Sequence, residues 1–322
     1  MEEMTLALKQ LRKRFVSDLN LPIQIVQSPY FEERLELLEK DYFAKTQYGM
    51  LLKLIKDKFE NNIVKFLEEY HNVRDKIINT VINSEAYKAF NTDDNVIKDF
   101  KPICDARNLY TNEQDGGLFI SYDMKKANFQ TLRYANPQIV LNADTYEEFI
   151  DKFTDLDYIK NSKYIRQVIF GKMNPKRTIS LERWLTNEFA KYLIENVIPK
   201  NLIPFSINSD EIIFKFMGSE EEFESYYIEP HTPITYNGVE FKINKFKLHS
   251  RQFKLATSSA LLTVYEKEDY LDGHKRILKG VPSTYFAQVY KLLRGEKTTP
   301  SDLKFYYEHE ICSFDNPLTL IK

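Results

Sequence analysis

The 322-residue chain has little of several residue types that mark particular structural classes. Its 9 glycines and 12 prolines are too few for a collagen-like or linker-rich chain, and they argue against a many-stranded β architecture. The two cysteines, Cys104 and Cys312, lie far apart without a CxxC pair, so we expect two reduced thiols rather than a disulfide. None of the 5 histidines has HxxxH spacing, which argues against a structural zinc site.

Long apolar runs and a net charge excess are also missing. No run approaches the roughly 18 apolar residues of a membrane span, and the N-terminus places acidic residues before basic ones, unlike a signal peptide. We therefore expect a cytoplasmic protein without a membrane partner. The 45 basic residues are balanced by 47 acidic ones, which excludes a histone-like polyanion binder. The apolar content of 43% excludes a disordered chain.

The hydrophobic periodicity changes along the chain from helical to strand-like. The first hundred or so residues repeat apolar positions at three-and-four spacing, with a break expected at Asn61-Asn62. Strands are predicted at 118–123, 203–207, 210–217, 239–246 and 261–266. Helices are predicted at 125–135, 144–172 and 281–294, and from a cap at Thr178 or Ser180 to Pro199. This order predicts an α+β fold rather than βαβ repeats.

Two aspartates stand where predicted strands end or begin. Asp123 closes the first strand, and Asp210 opens another directly after the turn-forming pair Asn208-Ser209. A pair of carboxylates on adjacent strands suits a two-magnesium phosphoryl-transfer site, because the metal neutralises charges that otherwise repel. The alternative is structural, with Asp123 capping the next helix and Asp210 serving as a turn residue.

A basic and aromatic stretch lies between these aspartates. From Tyr158 to Lys200 there are 9 Lys or Arg residues against 3 Glu. Helical spacing places Lys163, Arg166 and Gln167 near one another, a pattern that can hold a triphosphate. An aromatic side chain at Phe170, before Gly171, could stack on a base.

Taken together these segments resemble the palm of template-directed polymerases, specifically a minimal, divergent family B DNA polymerase of phage or viral type. The segment DMKKANFQ at 123–130 resembles the family motif DxxSLYPS, and KYIRQVIFG at 163–171 keeps the Lys-to-Gly spacing of KxxxNSxYG. The turn NSDE at 208–211 resembles DTDS with its second aspartate kept, and KGVP at 279–282 stands where a KxRG-like element follows. Richness in Lys, Asn, Ile and Tyr, the bias of AT-rich genomes, indicates a phage, a virus or a low-GC bacterium as the source.

The resemblance implies an antiparallel palm sheet with helices in the region 113–250, carrying a helical fingers-like insertion at about 144–200. A helical region at 1–112 precedes it, and 251–322 forms a palm edge and short thumb. It further implies a Mg²⁺- or Mn²⁺-dependent nucleotidyltransferase that acts on a nucleic-acid primer and template with nucleoside triphosphates. Other replication or transcription subunits are then expected partners, and the host cytoplasm is the expected location.

The resemblance also assigns roles to individual residues. Asp123 and Asp210 would hold the metal ions, with Glu211 as a lower-ranked third ligand because it alternates in direction with Asp210. The nucleotide would be contacted by Lys163, Arg166, Gln167, Phe170 and Gly171, and by Asn128, which replaces the family's bulky tyrosine and leaves sugar selectivity open. From Lys242 to Lys297 there are 12 basic against 5 acidic residues. Within that stretch we expect backbone contacts from Lys242, Lys245, Lys247 and Lys279.

Two other functions remain open at the level of the sequence. Glu240 and Lys242 form the ExK element of a metal-dependent nuclease strand, for which Asp210 could supply the preceding acid. A palm-shaped but inactive viral protein that binds nucleic acid or serves as a structural component is the second alternative. No nucleophile elbow and no GxGxxG or GxxxxGK phosphate loop is present, so hydrolase and P-loop functions have no support.

Overall fold

The computed structural model describes residues 5–96, 99–255 and 260–321. Its N-terminal part is helical, as the apolar periodicity predicts, with helices α1 (Leu6–Asp18), α2 (Tyr30–Leu37), α3 (Glu39–Tyr42), α4 (Ala44–Phe59), α5 (Ile63–Ile82) and α6 (Glu85–Thr92). The predicted break is confirmed at Asn61-Asn62: Asn61 has a positive φ, and the Asn62 side chain accepts from Lys65 N, which caps α5. Within the described ranges, no helix is both long and apolar enough to cross a bilayer.

The middle of the chain alternates strands and helices. Its elements are β1 (Leu118–Met124), α7 (Ala127–Ala135), α8 (Tyr146–Asp151), α9 (Asp157–Asn161), α10 (Lys163–Gly171), α11 (Pro175–Asn196), β2 (Leu202–Ile207), β3 (Glu211–Phe216), α12 (Glu220–Ser225), β4 (Ile234–Tyr236) and β5 (Val239–Lys254). The C-terminal part holds β6 (Leu261–Asp269), β7 (Lys275–Lys279), α13 (Phe286–Leu293), β8 (Lys304–Tyr307), β9 (Glu310–Ser313) and β10 (Thr319–Leu320). The predicted α+β class is thereby confirmed.

One antiparallel sheet organises these elements. Its strand order is β2-β3-β1-β5-β6-β7, with β4 and β10 also paired to β5, while β8 and β9 form a separate hairpin. The succession from β1 through the helices to β2 and β3, then α12 and β5, is a β-α-β-β-α-β arrangement. Because β1 lies between β3 and β5, its C-terminal end is flanked by strands on both sides.

The two faces of the sheet differ in their packing. On one face, long helix α11 lies against β1 and β5: the Phe189 ring stacks on Phe241 with centroids 3.9 Å apart and meets Tyr122 edge-on at 5.8 Å. Side chains alternate along a strand, so Ser121 and Asp123 point to the opposite face. We call this second face the Asp123 face.

The Asp123 face is apolar at one end and polar at the other. A small buried cluster covers the middle of the sheet and contains Leu109, Phe119, Phe205, Ile213, Phe246 and Leu248. Toward the end of β1 it gives way to polar residues, where the Asn244 amide donates to Ser121 Oγ at 3.2 Å. The polar end is therefore the part of this face that is free of apolar packing and suited to a polar ligand.

Several predicted boundaries are corrected by the structure. Helix α11 begins at Pro175 with Asn174 as its cap, not at Thr178 or Ser180, because the Asn174 side chain accepts from the backbone of Arg177. Strand β5 runs to Lys254 rather than ending at residue 246, because β6 pairs with its second half. Helix α13 starts at Phe286, not at 281, and β7, β8 and β9 were not predicted.

Candidate active site at the end of β1

Asp123 lies at the meeting point of three strands. It is directly opposite Glu211 of β3 and Lys242 of β5 in the two antiparallel registers. Directly opposite residues of an antiparallel pair share a face, so these three side chains belong to the Asp123 face. Asp123 is half-buried and Lys242 is exposed. The strand register thus gathers one carboxylate from β1 and one from β3 beside an accessible lysine.

Asp210 reaches the same place through the β2–β3 hairpin. The turn is closed by a hydrogen bond from Asn208 N to Glu211 O at 2.8 Å, and the Asp210 carbonyl accepts from Met124 N at 2.8 Å. That second bond ties the hairpin tip to the last residue of β1. Two aspartates separated by a long insertion in the sequence are therefore neighbours in space.

We call the group formed by Asp123, Asp210 and Glu211 at the end of β1 the acidic edge. Its electrostatics disfavour the charged form of Asp123. Burial, together with the charges of Glu211 and Asp210, raises the pKa of Asp123 to about 7. Lys242 and Lys267 act in the opposite direction. Burial and like charge together outweigh the effect of the two lysines on the pKa. A further positive charge at this site would therefore stabilise the charged form of Asp123.

Glu211 lies closer to Asp123 than its low rank among the predicted metal ligands indicates. From the sequence, Glu211 ranks below Asp210, because neighbouring residues of a strand point to opposite faces. In the structure, this alternation directs the Glu211 side chain to the Asp123 face. Glu211 also lines a cleft of about 380 Å³ together with Arg107, Tyr110 and Asn208. The cleft is therefore an opening next to the acidic edge.

Glu182 on α11 is a site residue that sequence reasoning missed. Its side chain is only 4% exposed, and its Oε1 has no hydrogen-bond partner among the described residues. Burial and the charge of Asp210 raise its pKa to about 8. One turn along the helix, Thr186 Oγ1 donates to the Ser209 carbonyl at 3.0 Å, which docks α11 on the hairpin tip.

Lys267 of β6 is a second residue that the sequence did not indicate. Its ammonium lies 4.1 Å from the centroid of the Phe246 ring and 5.8 Å from that of Tyr110. Burial lowers the pKa of Lys267, while Glu211 and Asp123 favour its charged form. No sequence signal distinguishes this lysine from its neighbours, since its role depends on the pairing of β6 with β5.

Helix α10 carries the predicted nucleotide-binding residues, and the structure corrects one of them. Lys163, Gln167 and Gly171 are exposed, and Arg166 is half-buried. Phe170 is 2% exposed and packs in a ring cluster that includes Phe129, Tyr146 and Phe149. The prediction that Phe170 stacks on a base is therefore wrong, because its ring is buried in the core. Asn128 is half-buried in the first turn of α7.

The predicted nucleic-acid lysines divide between the two sheet faces. Lys242 and Lys279 are exposed and belong to the Asp123 face. Lys245 is 4% exposed, and its Nζ donates to the carbonyls of Glu224 and Tyr226 at 3.2 and 2.8 Å. Lys247 pairs with Glu220 at 2.6 Å on the face opposite Asp123. Lys245 is therefore buried rather than available to nucleic acid, and Lys247 lies on the face opposite Asp123, because odd-numbered β5 residues alternate away from the site.

Of the three nuclease candidates, Asp210 and Lys242 lie beside Asp123, whereas Glu240 is bonded to residues that follow β1. The Lys125 backbone N–H donates to the Glu240 carbonyl at 2.9 Å, and the Lys125 ammonium pairs with the Glu240 carboxylate at 2.7 Å. Gln130 also bonds to the Glu240 backbone, accepting from its N–H at 2.7 Å. The Glu240 carboxylate thus has a cationic partner in the protein, whereas Asp123 faces two other acids.

The acidic edge suits a divalent cation chemically. Its carboxylates are hard oxygen donors of the kind that Mg²⁺ and Mn²⁺ prefer. Among the described residues, no group of three or more His, Cys, Asp or Glu side chains is placed to hold a metal ion. In nucleotide-processing sites Mg²⁺ is held by few carboxylates, together with substrate phosphates and water. A metal ion at this position would therefore need water or substrate ligands in addition to the carboxylates of Asp123, Asp210 and Glu211.

Comparison with known proteins returns no relative: no family model, curated protein or solved structure matches this chain.

Proposed function

We propose that the protein is a Mg²⁺- or Mn²⁺-dependent nucleotidyltransferase, a small nucleic-acid polymerase with a palm-like sheet. The proposal rests on one observation: Asp123, Asp210 and Glu211 lie close together at the end of β1. They are supplied by a strand end and a hairpin tip, in the order and on the elements that the polymerase motifs require. Burial and like charge, which raise the pKa of Asp123 to about 7, make this edge a place where a cation is favourable.

Each group has a role in the proposed reaction. Asp123 and Asp210 would hold the metal, assisted by Glu211, and the metal would stabilise the negative charge that develops during phosphoryl transfer. Lys163 and Arg166 on α10 contact the triphosphate, and Gln167 and Gly171 present an exposed helix face to the nucleotide. Asn128, in the first turn of α7, lies where the sugar is expected.

The packing of the sheet supports a path for nucleic acid. Helix α11 covers one face, while the Asp123 face carries the exposed Lys242 opposite Asp123 and, farther along the sheet at the level of Ser250, the exposed Lys279. These two lysines would neutralise backbone phosphates of a primer and template. Other replication or transcription subunits would complete the short fingers and thumb.

Primer extension tests this proposal. A labelled primer–template is incubated with Mg²⁺ or Mn²⁺ and all four dNTPs, and separately with all four NTPs. The wild type is compared with Asp123→Ala and Asp210→Ala, and Asp57→Ala, an exposed carboxylate on α4, serves as the control. We expect extension by the wild type and the control, and a loss of roughly a hundredfold or more in both site variants.

Other results would identify another function. Shortening of the labelled strand that requires Asp210, Glu240 and Lys242 but not Asp123 would indicate the nuclease. Unchanged strand length, with salt-sensitive binding that survives both substitutions, would indicate a palm-shaped binding protein without catalysis. Either result overturns the assignment of Asp123 and Asp210 as catalytic residues.

A further inference from the structure

A second cluster of charges lies just beyond the end of β1. Lys126 precedes α7 with a positive φ of 50°, and its ammonium is 5.5 Å from the centroid of the Tyr146 ring. The Arg166 guanidinium from α10 is 5.6 Å from the same centroid. Two cations that are 40 positions apart in the sequence therefore share one aromatic ring.

The aromatic ring between these cations is firmly held. Tyr146 is 1% exposed, and its ring packs against Phe129, Phe149 and Phe170. Its buried hydroxyl has no hydrogen-bond partner among the described residues. A buried hydroxyl without a partner is costly, so the Tyr146 ring is held here by its apolar packing and not by a hydrogen bond.

One carboxylate occupies the cluster in the present structure. Glu147 forms an ion pair with Lys126, and its side chain is 61% exposed. Burial opposes the charged form of Glu147, but the hydrogen bond from Lys126 and the charge of Arg166 hold its pKa below the ordinary value. An ion pair with so exposed a partner is weak, so a ligand with several negative charges can displace it.

We infer that Lys126 and Arg166 form a polyphosphate-binding pair over Tyr146, and that Glu147 occupies this pair until the phosphate chain of a nucleoside triphosphate replaces it. Lys126 is a residue that the polymerase motifs do not assign to this task. Its Cα lies within about 11 Å of the Asp123 Cα, since the two residues are only three positions apart in the chain. The cluster is thus within reach of a triphosphate at the acidic edge. The identity of the ligand rests on the proposed function, but the binding pair does not.

Calorimetric titration with inorganic tripolyphosphate and with dATP, both without divalent cations, tests the inference. We expect Lys126→Met and Arg166→Met each to weaken binding about tenfold, because each removes a charge-assisted contact. Glu147→Gln keeps both cations and removes their competitor, so it should tighten binding by about threefold or more. Lys125→Met is the matched control: the neighbouring lysine pairs with Glu240 instead, and its loss should leave binding unchanged.

The outcomes separate this inference from the proposed function. If binding depends on Lys126 and Arg166 but the protein does not extend primers, the polyphosphate-binding pair is supported and only the proposed polymerase function is contradicted. Absence of binding by the wild type, equal effects of Lys126→Met and Lys125→Met, or weaker binding by Glu147→Gln would each overturn the inference. Thermal unfolding checks that each variant is folded. If Lys126→Met is not, Lys126→Arg should retain binding and Glu147→Gln still decides.

Discussion

Two acidic side chains in this molecule, the buried Asp18 and the half-buried Asp123, have opposite surroundings. In the helical region, Asp18 at the end of α1 is 1% exposed and accepts hydrogen bonds from the hydroxyls of Tyr70, Ser162 and Tyr158 at 2.5, 2.7 and 2.8 Å. At the end of β1, the nearest charges to Asp123 include two further carboxylates. Burial raises the pKa of both aspartates, but only Asp18 has a full set of neutral donors around it.

The difference separates a structural carboxylate from a candidate functional one. The Asp18 network fixes local structure, because Ser162 also caps α10 by accepting from Ile165 N at 2.9 Å. It therefore holds the start of the helix that carries Lys163 and Arg166. Asp123 is held in place by the sheet, yet its charge has no such compensation, which is the condition expected of a site that binds a cation.

The largest expected effect is on stability and distinguishes the two groups directly. Asp18→Ala leaves three hydroxyl donors without their acceptor, so we expect a loss of about 3 kcal/mol in the free energy of unfolding. Asp123→Asn removes one charge from a repelling cluster and should leave stability unchanged or raise it in metal-free buffer. Chemical denaturation of both variants measures the difference. Equal destabilisation would mean that Asp123 is also a structural carboxylate.

Glu182 extends the comparison to pH dependence. Its folded-state pKa of about 8 lies above the ordinary value of 4.5, so the folded protein binds the extra proton between these values. Its contribution to stability is complete below pH 4.5 and is lost as the pH rises through 8, at up to about 1.4 kcal/mol per pH unit. Glu182→Gln, which cannot ionise, should reduce this loss when unfolding is measured from pH 5 to 9.

The matched control for this prediction lies on the same helix. Glu188 is partly exposed and pairs with Lys191 at 2.7 Å. Glu188→Gln should therefore keep the wild-type dependence of stability on pH. A Glu182→Gln protein that loses stability with pH as steeply as the wild type would show that Glu182 is not the group responsible.

Local patterns account for the parts of the fold that were predicted from the sequence. The alternation at 118–123 and the turn pair Asn208-Ser209 depend on neighbouring residues, and both elements are present. The resemblance to polymerase motifs then predicted that Asp123 and Asp210 act together, and they are close in space. The α11 start was misplaced, because Asn174 and Pro175 supplied a stronger beginning than Thr178.

The rest of the site depends on packing between distant parts of the chain. Glu182 is perturbed because α11 docks on the hairpin tip, and Lys267 because β6 pairs with β5, and neither contact leaves a local signal. Lys245 is the instructive error. Its alternation with Lys242 was readable from the sequence, but a lysine is expected at the surface, and its burial depends on carbonyls of the 224–226 segment.

The smallest expected effect concerns the lysines of the two sheet faces. Lys279→Ala should lower the slope of log affinity against log salt by about 1 in a nucleic-acid binding titration, because it removes one phosphate contact. Lys245→Ala should leave that slope unchanged and lower stability instead, since the Lys245 amine donates to the backbone carbonyls of Glu224 and Tyr226. A lower slope in Lys245→Ala with none in Lys279→Ala would place the nucleic acid on the opposite face.

Thermal unfolding with and without Mn²⁺ tests most directly whether the end of β1 is an acidic edge that requires a cation. In the wild type, Mn²⁺ should raise the unfolding temperature, because a ligand that binds only the folded state stabilises it. Asp123→Asn should unfold at an equal or higher temperature than the wild type without metal and should lose the Mn²⁺-dependent rise, whereas Asp18→Asn should keep that rise from a lower starting temperature. A rise that persists in both Asp123→Asn and Asp210→Asn, or its absence from the wild type, would contradict the account.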